Sequence, residues 1–236
     1  MEQKNPDNNI LVQDKRFLKK AYMKALIPCV LSILSGCLNI IVDGILVGQM
    51  VGVNGLAAIN LCLPVYLILC VIGSFIVSGT AISASEEIGR GNTQAAKDYY
   101  SLALGLCAAV SVVVTAAGLA LTPAISGALS SEPEIYELVK TYAGITLAGS
   151  AAKIFIYIPF WYLRIDGRNN SVMIMMLIMG GGNIILDFLI MYRFKMDVAG
   201  AALASLIATL AAAVFVIFMQ PIRISNFDFN FKLRTA

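Results

Sequence analysis

The stretch YYSLALGLCAAVSVVVTAAGLALTPAISGALSS, from Tyr99 to Ser131, contains no charged residue. Two further stretches share this property, residues 44–85 and residues 198–222. A helix that crosses a bilayer needs about 20 consecutive, mostly apolar residues, so each stretch can hold a span. A transmembrane barrel would instead alternate apolar and polar residues over segments of about 10, and none of these stretches does. The sequence therefore predicts an all-α integral membrane protein.

The composition limits the chemistry that the chain can perform. Hydrophobic residues make up 59% and charged residues 13% of the chain, whereas soluble domains are closer to half apolar and a quarter charged. The chain has no histidine, which is the commonest metal ligand and general base. Its five cysteines have neither zinc nor redox spacing, and it lacks a Walker-type phosphate loop. We expect no enzymatic activity, no cofactor and no nucleic-acid partner.

Six helices are predicted, at about residues 24–48, 57–85, 94–122, 134–164, 169–192 and 198–220. Together they form one transmembrane bundle over residues 24–222. A basic segment, residues 1–23, precedes the bundle, and it is either an amphipathic stretch on the membrane surface or a solvated tail. A polar tail, residues 223–236, follows.

Local signals refine these helices. Thr93 is predicted to cap the third helix, and Pro123 and Pro221 are predicted to end the third and sixth helices. Prolines inside spans free a carbonyl and permit bends, and the chain has three such candidates. The glycine run at 180–182 favours close packing of helices over local unwinding. The three candidate prolines are Pro28, Pro64 and Pro159.

The distribution of basic residues predicts the orientation. If the amino terminus is cytoplasmic, most of the 17 Lys and Arg residues fall on the cytoplasmic side, in the two terminal segments and in the loops at residues 85–98 and 164–168. Cytoplasmic loops of membrane proteins are enriched in these residues. We therefore expect both termini in the cytoplasm and a multi-pass protein of the plasma (inner) membrane.

Once the loops and the ends of the predicted helices are set aside, three charged residues remain inside the spans, namely Asp43, Lys153 and Asp187. Charges within a membrane are costly and mark functional sites. With a helical rise of about 1.5 Å per residue, Asp43 and Asp187 lie about 8 and 9 Å below the outer ends of their helices. Asn183 is one turn from Asp187 on the same face, and Ser205 lies about 12 Å deep in the last helix.

These four residues supply oxygens at one level of the membrane, which suits a hard monovalent cation such as Na⁺. The carboxyl pair could equally hold a proton, because burial and mutual repulsion favour the protonated form. A structural alternative is that Asp43 and Asp187 only hydrogen-bond neighbouring helices. Lys153 lies about 10 Å deeper. It either faces a cavity, where it pairs with a carboxylate or contacts a ligand, or snorkels toward the cytoplasmic boundary.

Five motifs, in order along the chain, resemble those of multidrug and toxic compound extrusion (MATE) exporters. The resemblance covers nearly the whole chain after residue 15. The motifs are the first helix with its following turn (Pro28, Asp43, Val47-Gly48, Gly52 and Gly55-Leu56-Ala57-Ala58), Gly89-Arg90-Gly91-Asn92 with Ala95-Ala96, Arg164-x-Asp166-Gly167-Arg168, Asn183-Ile184-Ile185-Leu186-Asp187, and Gly200-Ala201-Ala202-Leu203-Ala204-Ser205.

The resemblance implies one six-helix lobe of a two-lobe, twelve-helix transporter that exports organic, often cationic, compounds against Na⁺ or H⁺. It implies that the cation site consists of Asp43, Asn183, Asp187 and Ser205, with no other metal. It further implies that Pro28 is a hinge and that Tyr142 lies near the site. The second lobe is absent from this sequence, so we expect the tail to be a linker cut before further sequence, and the missing lobe to be a partner.

Three other functions remain open from the sequence. A flippase for lipid-linked saccharides, from the same superfamily, would have a more basic cavity, and Lys153 is the one indication of it. A non-transporting membrane subunit or remnant would need no paired carboxylates. An integral membrane enzyme has the least support, because no nucleophile and base stand out.

Overall fold

A computed structural model describes the backbone of residues 6–219 and the side chains of residues 26–218, together with those of Lys19, Lys20, Tyr22 and Met23. The regular structure within this part of the chain is entirely helical. Its helices are α1 (Pro6–Met50), α2 (Val53–Gly89), α3 (Thr93–Leu129), α4 (Pro133–Ala148), α5 (Ser150–Phe155), α6 (Tyr157–Ile165), α7 (Asn169–Phe194) and α8 (Val198–Met219).

Six membrane spans account for these helices. The Leu26–Met50 part of α1 and the whole of α2, α3 and α7 are long and apolar enough to cross a bilayer, as is α8 over Val198–Phe218. The sixth span is made by α4 together with α5 and α6, which are bent by 56° from α4. The predicted all-α, six-span bundle is therefore confirmed.

The first helix is longer than predicted. It begins at Pro6 and runs without a break into the span at Leu26, so the predicted start at residue 24 is wrong. Proline suits the first turn of a helix, where its missing N–H would have no partner in any case. Much of the basic amino-terminal segment is thus a helical extension of the first span, and whether it lies on the membrane surface stays a prediction.

Two predicted signals at the ends of α3 are also wrong. The cap is Asn92, whose side-chain oxygen accepts the Ala95 N–H at 3.2 Å, and Thr93 is the first helical residue. Pro123 does not end the helix, which continues to Leu129. Within a span the helix keeps its backbone hydrogen bonds because the bilayer offers no water to replace them. Pro221 and the tail after it lie outside the described residues.

The fourth span is broken twice. The 56° bend lies at Gly149, where an added Cβ would stand 2.7 Å from Leu206 Cδ1 of α8. The second break, at Ile156, comes one turn before Pro159, which lacks the N–H that would bond to the Phe155 carbonyl. The two breaks isolate α5 as a short segment that packs against α2, α3 and α8.

Close packing joins α7 to its neighbours α1 and α8. An added Cβ at Gly180 would lie 2.9 Å from Ser35 Oγ of α1, and α7 stays helical through the whole glycine run. The predicted close packing of this run is confirmed at Gly180. A larger residue there would hold α1 and α7 apart, and these are the two helices that carry the intramembrane carboxyls.

Candidate functional site

The two intramembrane carboxyls meet between α1 and α7. The side chains of Asp43 and Asp187 lie against each other, close enough to share a hydrogen bond when one of them carries a proton. Asp187 is completely buried, and Asp43 is partly buried. The sequence predicted that these two residues lie at a similar depth, and the structure brings them into contact.

Three oxygens of this pair are unsatisfied. Among the described residues, Asp43 Oδ1 and both carboxyl oxygens of Asp187 are buried without a hydrogen-bond donor. A buried polar atom without a partner costs about 1–3 kcal/mol, and more when it is charged. Oxygen-rich, donor-poor surroundings suit either a hard cation or a proton held between the carboxyls. The oxygens at this position therefore fit a bound monovalent cation or a proton.

An amide stands one helical turn before each carboxyl. Asn183 precedes Asp187 on α7 and is almost completely buried. Asn39 precedes Asp43 on α1 in the same way, and its Oδ1 is also buried without a donor among the described residues. The sequence analysis missed Asn39. The sequence did contain a signal for it. Asn39 lies four residues before Asp43, which is the same spacing that relates Asn183 to Asp187.

Ser205 and Lys153 form a separate polar contact. The Lys153 ammonium donates to Ser205 Oγ at 3.1 Å and lies 4.9 Å from the centre of the Tyr66 ring. Lys153 is only 7% exposed, so it does not snorkel to the membrane boundary. Its charge lies within electrostatic range of Asp43. The structure therefore places Ser205 with the lysine, whereas the sequence analysis grouped it with the carboxyls.

A cavity of about 330 Å³ opens beside this contact. Asn39 and Asn183 line it, whereas neither carboxyl does. The amides thus stand between the cavity and the carboxyl pair. Aromatic and sulfur-containing side chains make up eight of the other 17 lining residues, which suits apolar and aromatic ligands. Its polar members are Ser32, Asn39, Lys153, Asn183, Ser205 and Thr209, and its aromatic members and methionines are Tyr66, Tyr157, Phe160, Met175, Met176 and Met179.

The two remaining predicted residues take different positions. Tyr142, on α4, lies within electrostatic range of both Asp43 and Asp187, but it is not part of the cavity lining. Pro28 is buried in α1, and its carbonyl accepts a hydrogen bond from Ser32 Oγ at 2.7 Å. Helix α1 passes through Pro28 without interruption, so its role as a hinge stays a prediction.

The chain resembles known transporters over most of its length. The family model MatE matches residues 28–189. The multidrug export protein MepA of Staphylococcus aureus (strain MRSA252) is 29% identical over 215 residues, which is 89% of this chain and 47% of MepA.

Solved structures agree with these sequence matches. A crystal structure of MATE in the straight conformation superposes with a TM-score of 0.80 at 26% identity, covering 92% of this chain and 48% of that one. A crystal structure of MATE in the bent conformation gives 0.78 at 26% identity, covering 89% and 48%. This chain spans about half the length of the curated relatives that it matches.

Proposed function

Because this chain belongs to the MatE family, we propose that its six spans form one lobe of a cation-coupled antiporter that exports organic compounds. One observation carries the proposal. Two carboxyls from different helices meet inside the membrane, and three of their oxygens have no donor among the described residues. Such a pair is costly to keep unless it binds Na⁺ or H⁺ during the transport cycle. The relative MepA is a multidrug export protein.

Asp43 and Asp187 hold the coupling ion in this proposal. When the ion is bound, it offsets the repulsion between the carboxyls, and α1 and α7 stay together. When the ion leaves, the carboxyls repel each other across the same contact. Because Gly180 allows α1 and α7 to approach closely, this change in charge acts directly on how the two helices pack. Pro28 is the position in α1 where a bend would follow.

The cavity beside Lys153 forms part of the substrate pathway. Its aromatic and methionine lining suits organic, apolar and cationic molecules. A volume of about 330 Å³ lies at the low end for a drug-sized ligand, and the second lobe, which this sequence does not include, completes the pathway. The partners are therefore the lipid bilayer, a small organic substrate and a second six-helix lobe.

The competing functions have less support. A flippase for lipid-linked saccharides would have a more basic cavity, and here the cationic group in the cavity wall is Lys153, which Asp43 partly offsets. A non-transporting subunit would not need two unpartnered carboxyls at one place.

The proposed orientation puts both termini in the cytoplasm of the plasma membrane, as the distribution of basic residues predicts. In a variant without native cysteines, Val53→Cys at the start of α2 should react with an impermeant maleimide from outside. Thr93→Cys at the start of α3 should react only from inside. Both positions are exposed. Labelling of Thr93→Cys in intact cells would contradict the orientation.

Dye efflux tests the function in the complete transporter. In everted vesicles with an imposed Na⁺ or proton gradient, Asp43→Asn and Asp187→Asn should each lower gradient-driven efflux by at least about tenfold. The double variant should lie within about twofold of either single variant, because residues that act as a unit are not additive. Asp98→Asn is the matched control, since Asp98 is exposed near the start of α3. Full efflux by the double variant would exclude this pair as the coupling site.

A further inference from the structure

One of the four oxygen groups predicted to bind the coupling ion is already occupied. The Ser205 hydroxyl accepts the Lys153 ammonium at 3.1 Å. The same ammonium lies over the Tyr66 ring, whose face attracts cations. The carboxyl pair, by contrast, keeps three oxygens without a donor among the described residues. A positive charge of the protein itself therefore takes the place that the sequence analysis gave to Na⁺ at Ser205.

The position of this lysine is fixed by the fold. The breaks at Gly149 and Ile156 isolate α5, and the Lys153 side chain is 7% exposed. On α2, Gly73 allows α5 to approach closely, since an added Cβ there would lie 3.2 Å from the Ile154 Cα and carbonyl oxygen. The close approach of α2 at Gly73 and the packing of Leu206 against Gly149 therefore hold α5 in place, and the Lys153 ammonium reaches Ser205 of α8 from this position.

Two cations cannot share this region without a penalty. If Na⁺ and the ammonium both contacted the Ser205 oxygen, they would lie about 5 Å apart or less. With an effective dielectric constant of about 20, two unit charges at that distance lower the affinity of the mobile one by roughly a hundredfold. Asp43 is within electrostatic range of the ammonium, so the lysine also uses part of the negative charge that would attract Na⁺.

We propose that Lys153 is a tethered cation that competes with Na⁺ for the Asp43–Asp187 pair, and that Ser205 is a partner of the lysine and not a ligand of the ion. Lys153 thus determines which coupling ion the lobe accepts. The proposal rests on the proposed function in one respect, namely that the carboxyl pair is where a coupling ion binds. In this proposal the lobe binds Na⁺ with low affinity as long as the Lys153 ammonium stays on Ser205.

Direct binding of ²²Na⁺ to the complete protein, purified in detergent, tests this inference. Lys153→Met removes the charge and keeps an unbranched side chain only one atom shorter, and it should raise the affinity for Na⁺ by at least about tenfold. Lys153→Arg keeps the charge and should leave the affinity within about threefold of the wild type. Size-exclusion profiles and thermal unfolding would confirm that each variant is folded.

Ser205 provides the second arm of the test. Ser205→Ala in the wild-type background should change the affinity for Na⁺ by less than about twofold, because the hydroxyl is occupied by Lys153. In the Lys153→Met background the hydroxyl is free to bind the ion, so the same change should remove part of the gain. A wild type that loses Na⁺ binding on Ser205→Ala would overturn the assignment of Ser205 to the lysine.

The outcomes separate this inference from the proposed function. If Lys153→Met binds Na⁺ no more tightly than the wild type, whether both bind it or neither does, the lysine is not the competitor and the inference is wrong. The proposed function is judged separately, by dye efflux of the Asp43→Asn, Asp187→Asn double variant. If the Lys153→Met protein gains Na⁺ binding and the double variant still exports dye, the inference survives and the coupling role of the pair does not.

Discussion

Within the described part of the chain, charged side chains inside the membrane lack partners at one helix contact and have them at another. The first contact is between α1 and α7, and the second is between α5 and α8. Between α1 and α7, two carboxyls meet and three of their oxygens lack a donor among the described residues. Between α5 and α8, the Lys153 ammonium has the Ser205 hydroxyl and the Tyr66 ring as neighbours. The backbone differs as well, since α1 and α7 are continuous helices and α5 is a short segment between two breaks.

Under the proposed function, the contact between α1 and α7 is a site for a ligand, whereas the polar groups between α5 and α8 already have partners. Unpartnered buried oxygens reduce stability, and a protein keeps them where a ligand, a proton or an ion, satisfies them during function. A buried lysine that already has interaction partners keeps its position without a ligand. Its charge adds a positive electrostatic potential to its surroundings. Stability measurements can test this comparison directly, because the two regions should respond to substitution with opposite signs.

The largest expected effect is the contrast between Asp187→Asn and Lys153→Met in the complete protein. Asp187→Asn removes a buried carboxyl and supplies a donor to Asp43, so it should raise the free energy of unfolding by about 1–3 kcal/mol. Lys153→Met removes the hydrogen bond to the partly buried Ser205 hydroxyl and the contact with the Tyr66 ring, so it should lower the free energy of unfolding by about 1 kcal/mol. Thermal unfolding in detergent measures both.

The exposed Asp98→Asn serves as the control for this contrast, since a surface substitution changes stability by about 0.5 kcal/mol or less. Destabilisation by Asp187→Asn would mean that the carboxyl has a structural partner, and the two regions would then be alike.

A second prediction tests the packing that holds α5. An added Cβ at Gly73 would lie 2.6 Å from Tyr157 Cδ2 and 3.2 Å from the Ile154 backbone, so Gly73→Ala should destabilise by about 1–3 kcal/mol. Gly79→Ala, six residues later on α2, meets nothing within 4 Å and should stabilise by about 0.5–1 kcal/mol, because glycine weakens a helix interior. Equal effects of the two changes in thermal unfolding would show that α5 is not held from this side.

The smallest effect is expected at the other contact, between α1 and α7. Gly180→Ala would bring a Cβ to 2.9 Å from Ser35 Oγ, and since a hydroxyl can rotate away, the cost should be about 1 kcal/mol. The neighbouring Gly181→Ala meets nothing within 4 Å and should stabilise slightly. Because Gly180→Ala also separates the helices that carry the carboxyls, its dye efflux should fall more than that of Gly181→Ala. Equal efflux would mean that this spacing does not matter.

The sequence was sufficient for the spans and for the carboxyl pair. Charge-free stretches longer than a bilayer predict helices whatever their neighbours are. Asp43 and Asp187 were found because a charge inside a span is conspicuous and because helical rise converts residue number into depth. Both signals are local, and neither requires knowledge of how the helices are arranged.

Rotation about each helix axis could not be predicted in the same way. Depth counting placed Ser205 near the level of the carboxyls, but only the packing of α8 against α5 shows that its hydroxyl meets Lys153. The bend at Gly149 was missed because it depends on contact with Leu206 of another helix. Pro123 was interpreted as a terminator because the rule comes from helices in water, where a broken helix can hydrogen-bond to solvent.

The amides at Asn39 and Asn183 have a consequence for the timing of transport. Both line the cavity, whereas the carboxyls one turn away do not. Because three membrane spans lie between α1 and α7, these two helices run in the same direction, and both amides lie on the same side of the carboxyl pair. An ion that moves between the cavity and the carboxyls has to pass this layer and exchange partners there. If the carboxyl pair binds the coupling ion as proposed, this layer governs how long the ion resides in the lobe, and shortening either amide to alanine should speed ion exchange more than it alters equilibrium occupancy.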